Sequence, residues 1–540
     1  MKKAVVLVLL AAVACSSSPS KPAAPAPVVN PTPTPGPLTR TDPTVVEETE
    51  TYVIRALPKS EYQKVGDRSI KHPLLTKPME YFKEDDKYYY VYFPKSLPEE
   101  KEAAAGGKPA AVPTPFSPGM AVSAKDISPG VSMADFTDLT PPRAPGKIRL
   151  ERVAKPGLPD DGMWRASFVI ADVNGDHIPD IVAPPNRVGN GQLRIWIGDG
   201  HGSFSPWPLT FVQDGKPLAQ FSIDYGAVAV GDIDGDGKMD VVTASHGAGL
   251  VSLFGDGKGT FRVVRAGLPL RDFSSQAITL VDVDGDGKLD IVASRDVPNP
   301  EKIGTIDKLQ VRVYLYRGDQ GWEWKKDGIV GGLYSNSLHA WDDLGNGRPD
   351  ILTGSNYAGG LTLLWRNAGH GVFEPVQFDA LELYALHPTT QPGTFGAARL
   401  PAFADSYYAQ ANVPSPTRAA GITIYAWNHG QWERHRVWRE HESKGSVTAL
   451  AFGDLDGDGL DDIVFADNVH RKLRILFQQP DGSFVEMSEA AEPSIESVGQ
   501  WICLADLDGD GRLDIVLSRT VSSSAPNETG GFNVYLNRAR

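Results

Sequence analysis

The sequence predicts an all-β protein in which residues 147–540 form a seven-bladed β-propeller with four-stranded blades. Three observations lead to this fold: an acidic nine-residue loop recurs along the chain, most copies lie about 50–60 residues apart, and apolar runs flank the loops. Repeats of this length that contain four strands each are typical of propeller blades. We expect a disordered linker and a small irregular N-terminal region before the propeller.

The repeated loop follows the pattern D-x-[DN]-G-D-x-x-x-D, which places oxygen-bearing side chains at positions 1, 3, 5 and 9. Apolar runs such as 227–230 before the second loop and 241–242 after it predict that each loop joins two strands. Five copies are intact and one is altered. The intact copies occupy 172–180, 232–240, 282–290, 454–462 and 506–514, and the altered copy occupies 342–350.

The spacing of the loops predicts the number of blades. Successive first aspartates are 60, 50, 60, 112 and 52 residues apart. Because the long interval equals two blades of 56 residues, we expect a blade without an acidic loop near residue 398. The chain then contains seven blades.

The ends of the repeat region predict how the ring closes. Within a blade, a third strand runs into a Gly-rich turn, as at 198–204 and 255–261, and a fourth strand begins at the aromatic residue of that turn. The last unit stops after its third strand, whereas residues 146–159 match the fourth-strand segment 259–269. We therefore predict that a strand at about 148–154 completes the seventh blade and removes an exposed sheet edge.

The composition of the loops points to calcium. Several carboxylates converging from one short loop supply the six to eight oxygen ligands that Ca²⁺ takes in flexible geometry, whereas Mg²⁺ prefers fewer protein ligands and stricter geometry. An EF-hand needs Glu at position 12 and flanking helices, but position 12 carries residues such as Thr243 and Leu517. The alternative, a set of solvated acidic turns, does not account for five copies with the same ligand positions.

We predict about five calcium ions. The altered loop keeps Asp342 and Asp350 but has Leu344 and Asn346 at ligand positions, so a sixth ion there is left open. The predicted ligands are Asp172, Asn174, Asp176 and Asp180 in the first loop, Asp232, Asp234, Asp236 and Asp240 in the second, Asp282, Asp284, Asp286 and Asp290 in the third, Asp454, Asp456, Asp458 and Asp462 in the fourth, and Asp506, Asp508, Asp510 and Asp514 in the fifth.

The loops, their flanking strands and the GDGxGxF turns resemble FG-GAP/VCBS repeats, the blades of the integrin α-subunit propeller and of many bacterial surface proteins. The resemblance covers 147–540. It implies calcium binding by the loops between strands one and two, on one face of the ring. It also implies that ligands are taken on the other face, by the loops after strands two and four.

A polar residue stands six positions after the last aspartate of each acidic loop, on the face where the resemblance places ligands. Such a ring of polar groups could hold a glycan or a protein ligand, although side chains at these positions can instead cap turn backbone. Long insertions at 296–308, 401–419 and 519–530 add variable loops. The candidate ligand-binding residues are Asn186, His246, Asp296, Asn356 and Asn468.

The sequence carries no G-x-S-x-G or H-E-x-x-H motif and no phosphate-binding loop. We therefore predict a binding or adhesion module without enzymatic activity. The alternatives are a polysaccharide lyase or hydrolase on a propeller scaffold, and a scaffold subunit of an envelope complex. The tripeptide Arg317-Gly318-Asp319 stands where other blades have Gly-rich turns and is interpreted as coincidental, and Cys503, in an apolar run, as an inert buried thiol.

The N-terminus predicts export. Residues 1–15 combine two lysines, an apolar run and a terminal Cys15, which resembles a bacterial lipoprotein signal with Cys15 as the lipidated residue. Ser16 implies, by the same resemblance, sorting to the outer membrane, on a face that the sequence does not define. A Pro/Ser/Ala-rich linker at 16–45, a small region of uncertain fold at 46–98 and a second linker at 99–146 follow.

The charge balance excludes several classes of partner. With 67 Asp and Glu against 53 Lys and Arg, the net charge is −14, and no cationic face for nucleic acid is indicated. Two cysteines are too few for a disulfide scaffold. The ligand positions of the intact loops hold 19 carboxylates, and five Ca²⁺ would reduce the mature charge of −16 to −6. We expect a monomeric propeller that touches the membrane only through its N-terminal lipid.

Overall fold

In the computed structural model, residues 139–540 are described except at 165–166, 188–190, 271–272, 296–310, 330–334, 343, 356–361, 377–385, 409–419, 430, 441–446, 489–490, 522–528 and 540. Before residue 139, the structure describes 45–48, 52–59, 63–64, 69–71, 79–80, 83–84 and 87–94. The predicted signal, the lipidation site and the first linker up to residue 44 lie outside these ranges. No helix among the described residues is long and apolar enough to cross a membrane.

The described residues of the N-terminal region form seven short strands, which belong to a compact unit of their own. They are β1 (Val45–Glu48), β2 (Tyr52–Pro58), β3 (Gln63–Lys64), β4 (Ser69–Lys71), β5 (Met79–Glu80), β6 (Lys83–Glu84) and β7 (Tyr88–Pro94). One sheet has the order β1-β2-β7-β6 and the other the order β3-β4-β5. The aromatic strand β7 pairs with β2 along its whole length and with β6 on its other side, so it is an inner strand of its sheet.

The propeller begins with β8 (Arg143–Ala144) and β9 (Ile148–Arg152) and continues as consecutive blades. Blade one has β10 (Val169–Ala171), β11 (Asp180–Ala183), β12 (Arg194–Gly198) and β13 (Phe204–Pro206). Two extra strands, β14 (Thr210–Gln213) and β15 (Lys216–Pro217), precede blade two. Blade two has β16 (Gly226–Gly231), β17 (Asp240–Ser245), β18 (Gly249–Gly255) and β19 (Thr260–Val264), and β14 and β15 extend its outer edge.

The next three blades have four strands each. Blade three has β20 (Ser275–Val281), β21 (Asp290–Arg295), β22 (Val311–Tyr316) and β23 (Trp322–Lys325), with a 3₁₀ turn at Gly318–Gln320. Blade four has β24 (Ser335–Trp341), β25 (Asp350–Ser355), β26 (Thr362–Gly369) and β27 (Val372–Val376). Blade five has β28 (Leu386–Phe395), β29 (Leu400–Tyr408), β30 (Ala420–Asn428) and β31 (Gln431–Glu440).

The last two blades use strands from the N-terminal end of the propeller. Blade six has β32 (Val447–Gly453), β33 (Asp462–Asp467), β34 (Lys472–Gln478) and β35 (Phe484–Met487), with β8 added beside β35. Blade seven has β36 (Val498–Ala505), β37 (Asp514–Thr520) and β38 (Gly531–Ala539), with β9 as its fourth strand. The first strand of each blade contacts the first strand of the next, and β36 contacts β10, so seven blades form a closed ring.

The predicted ring closure is confirmed. Strand β9 pairs antiparallel with β38, from Ile148 opposite Ala539 to Arg152 opposite Tyr535. Ile148 is 2% exposed and packs among core residues of blades six and seven. The second linker, predicted to run to residue 146, ends earlier than expected, because β8 is already paired with β35.

Blade five lacks an acidic loop, as the spacing predicts. Strands β28 and β29 are joined by a tight turn at 396–399, in which the Arg399 N–H donates to the Gly396 carbonyl oxygen at 2.9 Å. Gly396 and Arg399 both have positive φ, 72° and 50°, which lets four residues reverse the chain. The missing copy therefore falls where the sequence places it, near residue 398.

The core lies between the blades. The central strands β17, β21, β33 and β37 are buried along their whole length, because a neighbouring blade covers each face of the sheet. They are short and rich in Val, Ile and Ala, which suits a strand packed on both faces. Each strand runs from one face of the ring to the other, so the residues at its two ends, where the loops begin, lie on opposite faces.

Candidate metal centres and the opposite face

Every acidic loop connects strand one to strand two of its blade, so all six loops lie on the same side of the ring. We call this side the loop face and the other side the opposite face. In blade two, the first aspartate, Asp232, directly follows the last residue of strand one. The ninth, Asp240, is the first residue of strand two and pairs with Gly231. The rigid sheets thus position the carboxylates.

The first aspartate organises the turn. In blade two, Asp232 Oδ1 accepts the N–H groups of Gly235 at 2.8 Å and Asp236 at 3.1 Å, and its Oδ2 accepts that of Gly237 at 2.9 Å. Gly235 has a φ of 77°, a left-handed conformation that favours glycine. The same three bonds recur in the other intact loops, for example around Asp506.

The ninth aspartate joins the loop to the sheet. Asp240 Oδ2 accepts the N–H of Ile233 at 2.9 Å, and its Oδ1 accepts the N–H of Gly255, at the end of strand three, at 2.8 Å. Asp240 is 1% exposed. The equivalent aspartates make the corresponding two bonds in the other intact loops; they are Asp180, Asp290, Asp462 and Asp514.

Three of the four predicted ligand positions converge. Carboxylate oxygens from positions 1, 3 and 9 lie within 4.8 Å of one another in the four all-Asp loops: Asp232, Asp234 and Asp240; Asp282, Asp284 and Asp290; Asp454, Asp456 and Asp462; Asp506, Asp508 and Asp514. The first loop has Asn174 at position 3, which adds an amide oxygen in place of a carboxylate. The fifth-position side chains, such as Asp236, are exposed and accept the N–H two residues later.

The ninth aspartates of the intact loops are buried carboxylates whose ionised form is disfavoured by burial. Burial is the main cause that raises the pKa of the ninth aspartates, to about 6 for Asp180 and Asp514, about 7 for Asp240 and Asp290, and about 8 for Asp462. Backbone N–H groups lower each pKa, but not enough to offset burial and the neighbouring acids. A bound cation would stabilise the ionised form of these groups.

The residues present fit a calcium ion. Apart from Asn174, the side chains at the ligand positions are carboxylates, the hard oxygen donors that Ca²⁺ prefers. In the seventh blade, Asp508 Oδ1 is buried and has no hydrogen-bond partner among the described residues. A carboxylate oxygen without a hydrogen-bond partner, beside Asp506 and Asp514, is suited to metal coordination.

Basic side chains lie beside several loops. Lys147, just before β9, places Nζ 3.0 Å from Asp456. Arg538 contacts Asp508 in the seventh blade. Arg317 lies 3.5 Å from Asp284 on the third loop. The arginine of the Arg317-Gly318-Asp319 tripeptide thus contacts an acidic loop of its own blade, and the tripeptide forms a 3₁₀ turn in the position of a Gly-rich turn.

The altered loop of blade four keeps part of the same framework. Asp342 Oδ1 accepts the N–H of Asn346 at 3.0 Å and its Oδ2 accepts that of Gly347 at 2.8 Å. Leu344 is 49% exposed and offers no ligand atom. Asp350 is 4% exposed and contacts the guanidinium of Arg366.

Three of the five predicted ligand-binding residues, Asn186, His246 and Asn468, are described, and they lie on the opposite face. Asp296 and Asn356 lie outside the described residues. Asn468 is 8% exposed, donates through Nδ2 to Thr448 Oγ1 at 2.7 Å and accepts the N–H of Gly499 at 2.8 Å. These bonds connect blade six to the first strand of blade seven. The amide of Asn468 therefore helps to hold two blades together.

His246 makes a similar connection. Its Nδ1 lies 3.1 Å from Ser274 Oγ, just before the first strand of blade three, and its ring stacks on Tyr225 with centroids 4.8 Å apart. The Arg187 guanidinium lies 5.6 Å from the centroid of Tyr225. His246, Tyr225 and Arg187 thus form a polar and aromatic cluster over blades one and two, and half-buried Asn186 precedes Arg187 in the chain. Tyr225 and Arg187 were not predicted, because single residues at strand ends carry no repeat signal.

A buried ion network in blade six was also missed. Arg474 Nε donates to Asp467 Oδ2 at 2.6 Å, and its Nη1 donates to Glu486 at 2.7 Å. Glu486, which is 0% exposed, also accepts two hydrogen bonds of 3.1 Å from Arg143 on β8. His470 and Glu440 lie near Asp467 in a group with metal-ligand spacing, but the guanidinium of Arg474 already supplies the positive charge there.

Cys503 lies on the first strand of blade seven. Its Sγ donates to the carbonyl oxygen of Phe168 at 3.3 Å. Burial raises the pKa of the thiol to about 12. It is therefore protonated at neutral pH, which agrees with the expected inert thiol.

The acidic loops also match a known family of repeats. The family model of the FG-GAP-like repeat matches residues 186–243, 232–293 and 454–517. The chain thus contains FG-GAP-like repeats, as its loops predict, within a seven-bladed ring. No curated protein matches the chain.

Two solved structures are similar in arrangement. BBS1N, crystallised in complex with ARL6DN and soaked with lead, is 10% identical, with 72% of this chain and 96% of that chain covered and a TM-score of 0.41. The periplasmic gluconolactonase PpgL of Pseudomonas aeruginosa is 14% identical, with coverage of 66% and 95% and a TM-score of 0.40.

Proposed function

We propose that this protein is an exported calcium-binding propeller that acts as a binding or adhesion module for a glycan or a protein ligand. The observation that supports this proposal is the convergence, in four loops on the loop face, of three carboxylates of which the ninth-position one is buried. Five loops of one construction hold charges that need a cation, and this arrangement supports a rigid ring. The opposite face is then left for ligand contacts.

Calcium would be held by the side chains at positions 1, 3 and 9 of each intact loop, with position 5 available from the exposed side of the turn. Its chemical contribution is charge compensation for carboxylates whose pKa burial raises. The ion would join the ends of strands one, two and three of the same blade, because the ninth aspartate already accepts the N–H of strand three. Calcium would therefore stabilise the fold rather than take part in chemistry.

Calcium binding is tested by melting the mature chain with excess Ca²⁺, with excess Mg²⁺ and with a chelator. A site filled at a hundredfold excess over Kd adds about 2.7 kcal/mol to the free energy of unfolding. With five sites we expect a large rise in Tm with Ca²⁺ and a smaller one with Mg²⁺. Equal melting in calcium and in chelator would contradict the proposal.

We propose the cluster around Tyr225 as part of the ligand surface. It combines an aromatic ring, a guanidinium and polar side chains on a rigid strand end, a composition that suits sugars and polar protein surfaces. Tyr225→Ala is expected to weaken capture on a glycan array or in a pull-down from envelope extracts at least tenfold. Lys258→Ala, an exposed change on the loop face, serves as the control and should leave binding unchanged.

The same assays separate the alternatives. Release of products from a bound polysaccharide would favour the lyase or hydrolase. Stoichiometric co-purification with envelope proteins, without glycan binding, would favour the scaffold. Binding without turnover supports the module.

We further propose that Cys15 carries the lipid that anchors the protein to the outer membrane. Cells labelled with radioactive palmitate should yield a labelled protein in the outer-membrane fraction. Cys15→Ser should abolish the label and release the chain in soluble form. Digestion of intact cells by an added protease then shows which side of the membrane the propeller faces.

A further inference from the structure

Blade four differs from the other loop-bearing blades in one feature beyond its lost ligands. The ninth aspartate of its loop, Asp350, accepts a hydrogen bond from Arg366 Nη1. Arg366 lies on strand three of the same blade, and Asp350 opens strand two. A buried carboxylate in this loop therefore has a cation that belongs to the chain itself.

One hydrogen bond that recurs in all loop-bearing blades identifies the residue equivalent to Arg366 in each of them. In every loop-bearing blade, Oδ1 of the ninth aspartate accepts a strand-three N–H, and in blade four the donor is Asn367 at 2.7 Å. The residue before this donor is Arg366 in blade four. In the five blades with intact loops, the residue before the donor is apolar: Ile197, Phe254, Leu315, Phe477 and Leu536.

The surroundings hold the guanidinium in place. The side chain of Arg366 is 20% exposed and that of Asp350 is 5% exposed, so the pair is largely removed from water. The guanidinium also lies 5.6 Å from the ring centroid of Trp427 and 6.0 Å from that of Trp432, both on blade five. Arginine is the residue that combines bonding to a carboxylate with contact to aromatic faces.

The loss of ligands and the gain of a cation occur together. Leu344 removes the position 3 oxygen, and Asn346 replaces the position 5 carboxylate. Asp350 nevertheless stays buried, and a buried carboxylate needs a compensating charge. The intact loops have no arginine at the equivalent place.

We propose that the guanidinium of Arg366 replaces the calcium ion in blade four, so that this loop is calcium-independent and the propeller takes five ions. The count of five rests on the proposed calcium function of the other loops. The charge compensation of Asp350 by Arg366 does not.

The first experiment is done in chelator, where calcium plays no part. Arg366→Met, which keeps a long side chain without charge, should lower the Tm of the full mature chain by roughly 5 °C, because Asp350 is left buried and unpaired. Arg366→Lys should retain most of the stability. Arg348→Met, on the same loop but exposed, is the matched control and should not change the Tm.

A second change tests charge compensation against simple packing. Asp350→Asn removes the charge but keeps an oxygen for the Asn367 N–H. In the Arg366→Met background it should recover most of the lost Tm. If the double variant melts at or below the single variant, Arg366 acts by packing and the proposal is wrong.

The third experiment measures bound calcium per chain by equilibrium dialysis. Wild type should bind five ions. Leu344→Asp with Asn346→Asp should still bind five while Arg366 is present, and adding Arg366→Leu should raise the count to six. A sixth ion in the variant that keeps Arg366 would overturn the replacement.

The two proposals fail in different ways. If wild type binds no calcium, the proposed function of the intact loops fails. The result in chelator still decides whether Arg366 compensates Asp350. If wild type binds six ions, the intact loops bind calcium and the inference about blade four is wrong.

Discussion

At the scale of single residues, the ninth aspartate of each loop has two roles. Asp462, 1% exposed, accepts the N–H of Leu455 at 3.0 Å and that of Gln478 at 2.9 Å, and it is also one of the converging carboxylates. Asp458, at position 5, is exposed; it accepts the N–H of Leu460 within the turn and lies 3.5 Å from Lys147 Nζ. A structural role and a ligand role are therefore separable within one loop.

We expect Asp462→Ala to lower the free energy of unfolding in chelator by about 2–4 kcal/mol, because two buried N–H groups lose their acceptor. Asp458→Ala should cost less than about 1 kcal/mol in chelator, yet reduce the response to calcium. Urea denaturation with and without Ca²⁺ measures both. Equal losses in chelator would show that position 9 has no structural role of its own.

His339 is a half-buried base at the ring centre, and its Nε2 is removed from water. It lies on the first strand of blade four, and its ring stacks on that of Trp501 from blade seven, with centroids 6.1 Å apart. Burial lowers the pKa of His339 to about 4. Because an unfolded histidine titrates near 6.5, the unfolded chain gains a proton between pH 6.5 and 4 that the folded protein does not.

The stability that neutral His339 contributes is therefore complete above pH 6.5 and is lost as the pH falls towards 4. We expect wild type to lose roughly 2 kcal/mol more than His339→Gln between pH 7 and pH 4.5. Comparing the two proteins cancels the titration of the acidic loops. Parallel pH profiles would show that His339 is accessible to protons in the folded state.

At the scale of elements, amide side chains connect blade three to blade four and blade six to blade seven. On the opposite face Asn468 reaches the first strand of blade seven. On the loop face Asn367 of blade four donates to the Val283 carbonyl oxygen of blade three at 3.1 Å. Asn537 of blade seven donates to the Leu455 carbonyl oxygen of blade six at 2.7 Å. Polar residues at strand ends thus serve the contacts between sheets.

The ion network of blade six joins strand β8 to that blade through Glu486, which accepts hydrogen bonds from both Arg143 and Arg474. Arg474→Met should destabilise the protein by about 3–5 kcal/mol, because Asp467 stays buried without a guanidinium and Glu486 keeps only that of Arg143. Arg143→Met is the milder comparison, since the Arg143 side chain is 33% exposed and Glu486 keeps Arg474. Chemical denaturation ranks the two. A larger effect of Arg143→Met would place the main stabilising contact at the outer strand.

Ring closure by β9 is tested with chains of three lengths. A chain that begins at residue 139 keeps β8 and β9, one that begins at 147 keeps only β9, and one that begins at 154 lacks both. We expect a modest loss of Tm at the first step. The second step should cost much more, because Ile148 leaves the core and the edge of β38 is exposed. An unchanged Tm for the shortest chain would refute the role of β9.

At the scale of the whole molecule, the ring separates two kinds of chemistry. The loop face carries the acidic loops and their neighbouring cations, and the opposite face carries Tyr225, His246 and the ion network of blade six. Since each strand crosses from one face to the other, a change at one strand end leaves the other end in place. This separation is why calcium binding and ligand binding are expected to respond to different substitutions.

The sequence alone determined the periodic features of this protein. The number of blades, the blade without a loop, the closing strand and the calcium-type loops all follow from patterns that repeat at fixed intervals or lie within nine residues. Local patterns are readable because the same backbone turn requires the same residues in every blade.

The tertiary structure decided which distant residues meet. Arg143 and Glu486 are 343 residues apart, and neither belongs to a repeated pattern. The amide of Asn468, predicted to bind a ligand, forms a hydrogen bond between two blades. The carboxylate of Asp350 pairs with Arg366 on strand three rather than with a residue of its loop. Such pairs depend on how neighbouring sheets pack, and packing brings together side chains that no local spacing relates.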